Sequence, residues 1–204
     1  MQESAVPTDG RAARAARTRD AIVEASVALV EEGDVRPTAP RIAERAGVSV
    51  RSVFQHFDDL PALHTAVVHR VVERLAVLVV PTDPTLPLDQ RIDAFARNRA
   101  VLLEAVTPFR RAAAVHGPFA PELRDAVAQG SAFLRQEVEA AFAPEIEAAA
   151  RADRRQLVDS LAAATSWGVW DALRTDAGDT PDQARAVLGR LLTALLAPRS
   201  STTR

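Results

Sequence analysis

Cysteine is absent from the 204 residues, which excludes disulfide frameworks, thiol catalysis and thiolate metal sites and suits the chain equally to a reducing or an oxidising compartment. Tyrosine and lysine are absent too, aromatics make up only 4%, and no stretch alternates β-branched with polar residues at period two, so there is little to build a sheet from. No run reaches the apolar length of a membrane span, and the N-terminal MQESAVPTDGRAARAARTRD has arginines without the apolar core of a secretion signal. The expectation is a soluble, cytoplasmic chain with no membrane partner. Gly-rich phosphate loops, nucleophile signatures and paired His–carboxylate ligands are missing, and the histidines at 56, 64, 69 and 116 do not form a metal set. His64 and His69 are five apart, so they do not share a helix face as ligands at i and i+4 would. Catalytic residues, metal and cofactor are all expected to be none, and the chain is not expected to be an enzyme.

What is present is alanine in abundance and helical periodicity, which points to an all-α protein. Length allows one or two compact modules. Every basic residue is arginine, a bias that GC-rich codons explain together with the alanine, and the net charge is only -2. Any electrostatic footprint must then be local. Its strongest candidate is Arg11, Arg14, Arg17 and Arg19, with Asp20 the next acid after them.

Residues 1–10 mix Pro, Gly, Ser and Thr without period and read as a disordered arm. Apolar spacing predicts about nine helices beyond it. The first runs from Arg14 to Glu32 with Gly33 as its stop, and the second is capped by Thr38 with Pro40 in its tolerant first turn. A third spans Val50–Phe57 behind Ser49, and a fourth, capped by Asp59, runs from Leu60 to Val79. Three prolines between 81 and 87 make the clearest break. Five stretches follow: Leu88–Val106, Pro108–His116, Pro121–Ala143, Ala152–Thr175 and Thr180–Ala197. The expected division is 11–60 for a small N-terminal module, 61–197 for a larger helical one, and 198–204 for a tail.

The informative segment is TAPRIAERAGVSVRSVFQHFDDLPAL, Thr38–Leu63. Two short helices separated by Ala-Gly-Val form a helix-turn-helix: Gly47 permits a positive φ, Ala43 and Val48 allow close approach, and Ile42 and Val53 fill the space between. The exposed side of the third helix is left free. The segment resembles the signature of the TetR (tetracycline-repressor) family, carried here by Ile42-Ala43, Ala46-Gly47-Val48-Ser49, Phe54, His56-Phe57 and Leu63. The resemblance implies an N-terminal three-helix DNA-binding domain followed by a ligand-binding and dimerisation domain, with operator DNA, a second copy of the chain and an unidentified small-molecule effector as partners. A repressor released from a palindromic operator by its ligand is the implied role. A dimeric helical DNA binder or adaptor without an effector is the other reading, and a ligand-sized void of roughly 300 Å³ or more is what separates them.

For DNA contact, Val50, Arg51, Ser52 and Gln55 lie on the early, exposed part of the third helix, with Ser49 at its start, while Thr38, Arg41, Arg45, Phe54 and His56 are placed to touch backbone. An ordinary solvated face explains Arg41 and Arg45 as well, and His56 can equally be a packing residue at a helix end. Three positions depart from the family pattern. Arg51 stands where many members carry glycine and can pair with guanine O6 and N7. Phe54 lacks the hydroxyl of the usual tyrosine, and Leu60 replaces a lysine that holds a phosphate. The N-terminal arginines are candidates to supply what is missing.

For the larger module, the dimer seam is expected along Leu157, Leu161, Ala164, Gly168, Val187, Leu188, Leu191, Leu192 and Leu195, with intrachain core as the alternative. Arg99 on an apolar stripe needs either an acidic partner or an anionic ligand. Trp167 and Trp170 share one side of a helix as pocket walls or as dimer anchors. Phe95, Leu102, Phe109, Phe119 and Phe133 are candidate pocket lining, with Asn98 or His116 as a polar handle, and plain packing serves each of them too.

Overall fold

The computed structural model describes residues 8–116 and 121–197. These form ten helical segments and no strand: α1 Thr8–Glu31, α2 Ala39–Ala46, α3 Val50–His56, α4 Leu60–Ala76, α5 Leu88–His116, α6 Pro121–Ala141, α7 Ala143–Ala148, α8 Arg154–Ala164, α9 Trp167–Thr175 and α10 Pro181–Leu196. They divide into two compact units. The first takes the described residues of Met1–Arg74 and Pro108–Ala126, and the second those of Leu75–Thr107 and Val127–Arg204. By packing, the first unit takes in most of α4.

In the first unit α1 packs on α2 and α3 through Ile22, Val23, Leu29 and Val30, which meet a core that includes Ile42, Ala43, Val53, Phe57 and Leu63. Arginines of α4 reinforce this. Arg70 bonds Glu24 and Asp20, and Arg74 bonds Glu24 and Glu31, so one α1 face holds two cations through shared carboxylates. Helix α1 begins at Thr8, well before Arg14, so the last residues of the expected arm are helical and the rest of the arm lies outside the described residues. Helix α4 ends at Ala76, three residues early, as the chain turns through Leu78 and Val79 towards the prolines.

The second unit holds two apolar clusters. Ile92, Phe95, Val138, Phe142, Leu161 and Leu192 pack together from α5, α6, α8 and α10 and the α6–α7 junction, and Ala100, Leu103, Trp170, Ala184 and Leu188 join α5, α9 and α10. Three boundaries differ from the periodicity. Pro108 sits inside α5, which is continuous from Leu88 to His116. A single missing N–H is tolerated there, and it falls where the helix passes from one packing unit to the other. The stretch to Ala143 breaks at the fully buried Phe142, because Pro144 fits only the first turn of a new helix. The stretch to Thr175 breaks at Thr165-Ser166, where Ser166 caps α9 by accepting from the Val169 amide at 3.4 Å. Helix α10 carries a complete capping box, Thr180 accepting from the Gln183 amide and the Gln183 side chain accepting from the Thr180 amide.

Leu161, Leu188 and Leu192, expected on a dimer seam, are 0% exposed within the single chain and leave no surface for a partner. The periodic leucines serve the intrachain core first. Leu161→Ala should therefore lower stability by about 2–5 kcal/mol, measured by urea unfolding, and the loss should not depend on protein concentration as the loss of a subunit contact would.

Candidate nucleic-acid interface

The turn between α2 and α3 explains the geometry of the head. Gly47 takes φ 68 and ψ 31, a left-handed conformation that costs a β-carbon-bearing residue about 1–2 kcal/mol. With it, the Gly47 amide donates to the Glu44 carbonyl at 3.2 Å and the Val48 amide to the Ala43 carbonyl at 2.9 Å, closing the end of α2. Ser49 then restarts the helix, its hydroxyl accepting from the Ser52 amide at 3.1 Å. Thr38 occupies the cap position of α2, but its side chain makes no capping bond. Asp59 caps α4 through the Ala62 amide at 2.8 Å.

This turn buries Val53 and Phe57 and presents the opposite side of α3 to solvent. Val50, Arg51, Phe54 and Gln55 are exposed, with Phe54 retaining 48% of its surface, and Ser49 is exposed just ahead of them. Ser52 and His56 are half-buried. The Arg51 side chain has no ion pair or hydrogen bond among the described residues, which leaves an uncommitted cation at the head of an exposed helix.

The other two arginines of the head are held by acids. Arg45 forms a bidentate pair with Glu32, at 2.5 Å and 3.0 Å, that lowers the Glu32 carboxyl below its usual range and raises Arg45. Arg41 lies 2.5 Å from Asp34, which also accepts from the Arg36 amide. These carboxylates flank Gly33 in the loop after α1, a contact that sequence spacing gave no means of finding. Thr38, Arg41 and Arg45 are all exposed, so the surface expected to touch DNA backbone exists, but its cations are already partnered.

Four of the residues expected to line an effector pocket, Phe95, Asn98, Arg99 and Leu102, line one small cavity. Arg99 is 2% exposed; it donates to the Leu134 carbonyl at 2.9 Å, the Thr165 carbonyl at 3.2 Å and Glu137 at 3.4 Å, and stacks over Phe95 at 4.7 Å. Burial pushes its guanidinium down to about 10 against the opposing charge of Glu137, and burial likewise pushes the Glu137 carboxyl up. The cavity that Phe95, Asn98, Arg99 and Leu102 line holds about 10 Å³, room for a single water. Asn98 is turned to the Val80 carbonyl at 3.0 Å. Trp170 is fully buried and donates to Glu104 at 2.8 Å, a carboxylate it shares with Arg174, and Trp167 donates to Thr107 at 3.1 Å. Trp170 is thus a core residue. Phe109 belongs to the other unit, Phe133 is exposed, and Phe119 and the His116 side chain lie outside the described residues.

Of the expected seam, Leu191 and Gly168 are exposed and Leu157, Ala164, Val187 and Leu195 half-buried. Beside them an open groove of about 520 Å³ runs between α5 and α10, lined by Ile92, Ala96, Ala186, Gly189 and Ala194 with Arg185 and Asp93 across it. No helix among the described residues is long and apolar enough to cross a membrane.

No protein-family model matches the chain, and no curated protein matches it. Solved structures do. A transcriptional regulator from Rhodococcus sp. Rha1 is similar at 17% identity and TM-score 0.60 over 89% of this chain and 95% of that one. A TetR transcription regulator from Haloarcula marismortui is similar at 21% identity and TM-score 0.58, over 87% and 97%. A multidrug binding protein, EbrR, solved with imidazole, is similar at 22% identity and TM-score 0.56, over 90% and 97%. The chain has the all-helical fold of TetR-family regulators.

Replacing Arg99 with Met removes donors from two helix carbonyls and leaves Glu137 half-buried without its cation. That should cost on the order of 3 kcal/mol in urea unfolding. Unchanged stability would place Arg99 outside the core role its geometry gives it.

Proposed function

We propose that the chain is a TetR-type transcriptional regulator that binds double-stranded operator DNA as a homodimer through α3. The observation that carries the reading is the exposed face of α3, held out by the Gly47 turn, with Arg51 uncommitted at its start. A helix so presented matches the major groove, where arginine reads guanine through paired hydrogen bonds. One head reads one half-site, so a dimer is needed to place two α3 helices about 34–36 Å apart on a palindrome. The outward side of α10 supports such a dimer: Val187, Leu191, Ala186, Gly189 and Ala194 offer small and apolar surface. Leu157, Ala164, Gly168 and Leu195 extend it on α8, α9 and α10.

The protein acts in the cytoplasm on this reading, with no catalytic step and no cofactor. Repression is its default sign. Release of the operator by a small molecule is supported by the fold and by the neighbouring multidrug binding protein. It requires the packed region around Phe95, Asn98 and Arg99 to open, or a site elsewhere. The tight packing there, about 10 Å³ of cavity, favours the second reading, a dimeric DNA binder without a small-molecule effector. The two divide on linkage: an effector must bind the free dimer more tightly than the DNA-bound dimer.

Selection from a random duplex library, with wild type beside Arg51→Ala, tests the DNA reading. The wild type should enrich a palindrome, and Arg51→Ala should relax one position per half-site at a cost of about 1–3 kcal/mol. Absence of any enriched sequence, with weak binding even at low salt, would remove operator recognition while leaving the fold untouched.

A further inference from the structure

The leading part of α1 is a strongly charged helix whose arginine stripe faces solvent. Twelve residues, 10–21, precede the first buried residue, Ile22, a length of about 18 Å at helical rise. Arg11, Arg14 and Arg17 recur there at every third residue and are all exposed. None has an ion pair or hydrogen bond from its side chain among the described residues. The only acid between residues 8 and 19 is Asp9. Ala12, Ala13, Ala15 and Ala16 keep the segment helical, propagating from the packed half of the same helix.

Its position within the unit is fixed. Arg19, two residues after Arg17 and about half a turn round the helix from it, stacks its guanidinium over the Phe57 ring at 4.7 Å, and Phe57 ends α3. That contact ties the leading part of α1 to the end of α3, and the stripe lies on another side of the same helix, turned towards solvent. The cations nearer the turn are compromised by contrast, Arg41 by Asp34 and Arg45 by Glu32. Using either on a phosphate means giving up a carboxylate.

We propose that Arg11, Arg14 and Arg17 form a backbone clamp on double-stranded DNA, holding phosphates next to the groove that α3 enters and supplying the electrostatic contact that Arg41 and Arg45 spend on Glu32 and Asp34. This rests on the DNA reading above. A helix of unpaired arginines attracts phosphate without distinguishing bases, so the clamp sets affinity and its salt dependence and leaves sequence preference to α3.

The test is the salt dependence of binding to the selected palindrome and to random duplex, for wild type, R11Q/R14Q/R17Q, R14Q alone, and R151Q as an exposed control. Each phosphate contact contributes about 0.9 to the slope of log affinity against log salt. On a palindrome bound by two protomers, the triple variant should lose about 5 from that slope and bind more than about 100-fold more weakly at 50 mM salt, R14Q should lose about 2, and R151Q nothing. The enriched half-site should stay the same, with helix content by circular dichroism near wild type. A wild-type slope in the triple variant would overturn the clamp and leave operator binding by α3 standing. An altered half-site would overturn it too, because the arginines would then be reading bases. Wild type with no salt-dependent duplex binding at all would overturn both this inference and the reading beneath it.

Discussion

A single buried guanidinium ties much of the second unit together. Arg99 comes from α5, the Leu134 carbonyl and Glu137 from α6, and the Thr165 carbonyl from the end of α8, so one side chain fixes three helices at one point. Most of its acceptors are neutral carbonyls, which satisfy its donors without neutralising its charge, and that is why burial lowers its proton affinity to about 10. The Thr165 carbonyl is one of those that a helix end leaves unpaired, and a cation there also meets the negative end of the helix dipole. The same bond helps to explain why α8 and α9 are two helices. The chain stops at Thr165, gives its carbonyl to Arg99, and restarts from the Ser166 cap.

That arrangement bears directly on effector binding. An arginine stripped of water beside an apolar wall is what an anionic ligand would seek, but here both terminal nitrogens of the guanidinium already donate to protein acceptors. A ligand would have to displace carbonyls of two helices, and the surrounding cavity admits one water. The head follows a different logic at Arg41 and Arg45. Glu32 is exposed beside Arg45, where water screens the pair, whereas Asp34 is largely buried beside Arg41. Either arginine must leave a carboxylate before it can meet a phosphate, whereas the second unit holds Arg99 by acceptors buried with it.

Much of the head was legible from its residues because its logic is local. Gly47 needs no distant partner to take a positive φ, Ser49 and Asp59 cap the helices that follow them, and Ile42, Ala43 and Val53 bury as their spacing directs. The loss came wherever a contact spans many residues. Nothing in the chain places Glu32 against Arg45 or Glu104 against Trp170 and Arg174, since those meetings depend on how the helices pack. Pro108 misled for a related reason: a proline biases a helix to end, but the packing on either side of residue 108 outweighs one lost hydrogen bond. At Thr165-Ser166 the signal was present, a serine ahead of an apolar run, but the helical period on both sides masked it.

The leucines of α10 show how a periodic pattern can be read correctly and assigned to the wrong partner. Leu188 and Leu192 stand four residues apart, as a helix pairing with its symmetry mate would require, yet both are buried in the apolar clusters of their own chain. A helix has one apolar stripe of limited width, so a stripe consumed by the core cannot also face a second copy. What remains outward is Val187, Leu191 and the small residues Ala186, Gly189 and Ala194. Small side chains let two helix axes approach towards the short end of the 8–10 Å range, where backbone and side-chain contacts along the whole helix replace interlocking leucines. The proposed dimer thus depends on the core being complete first: only when the leucines are buried does α10 present the face that a second α10 can pack against.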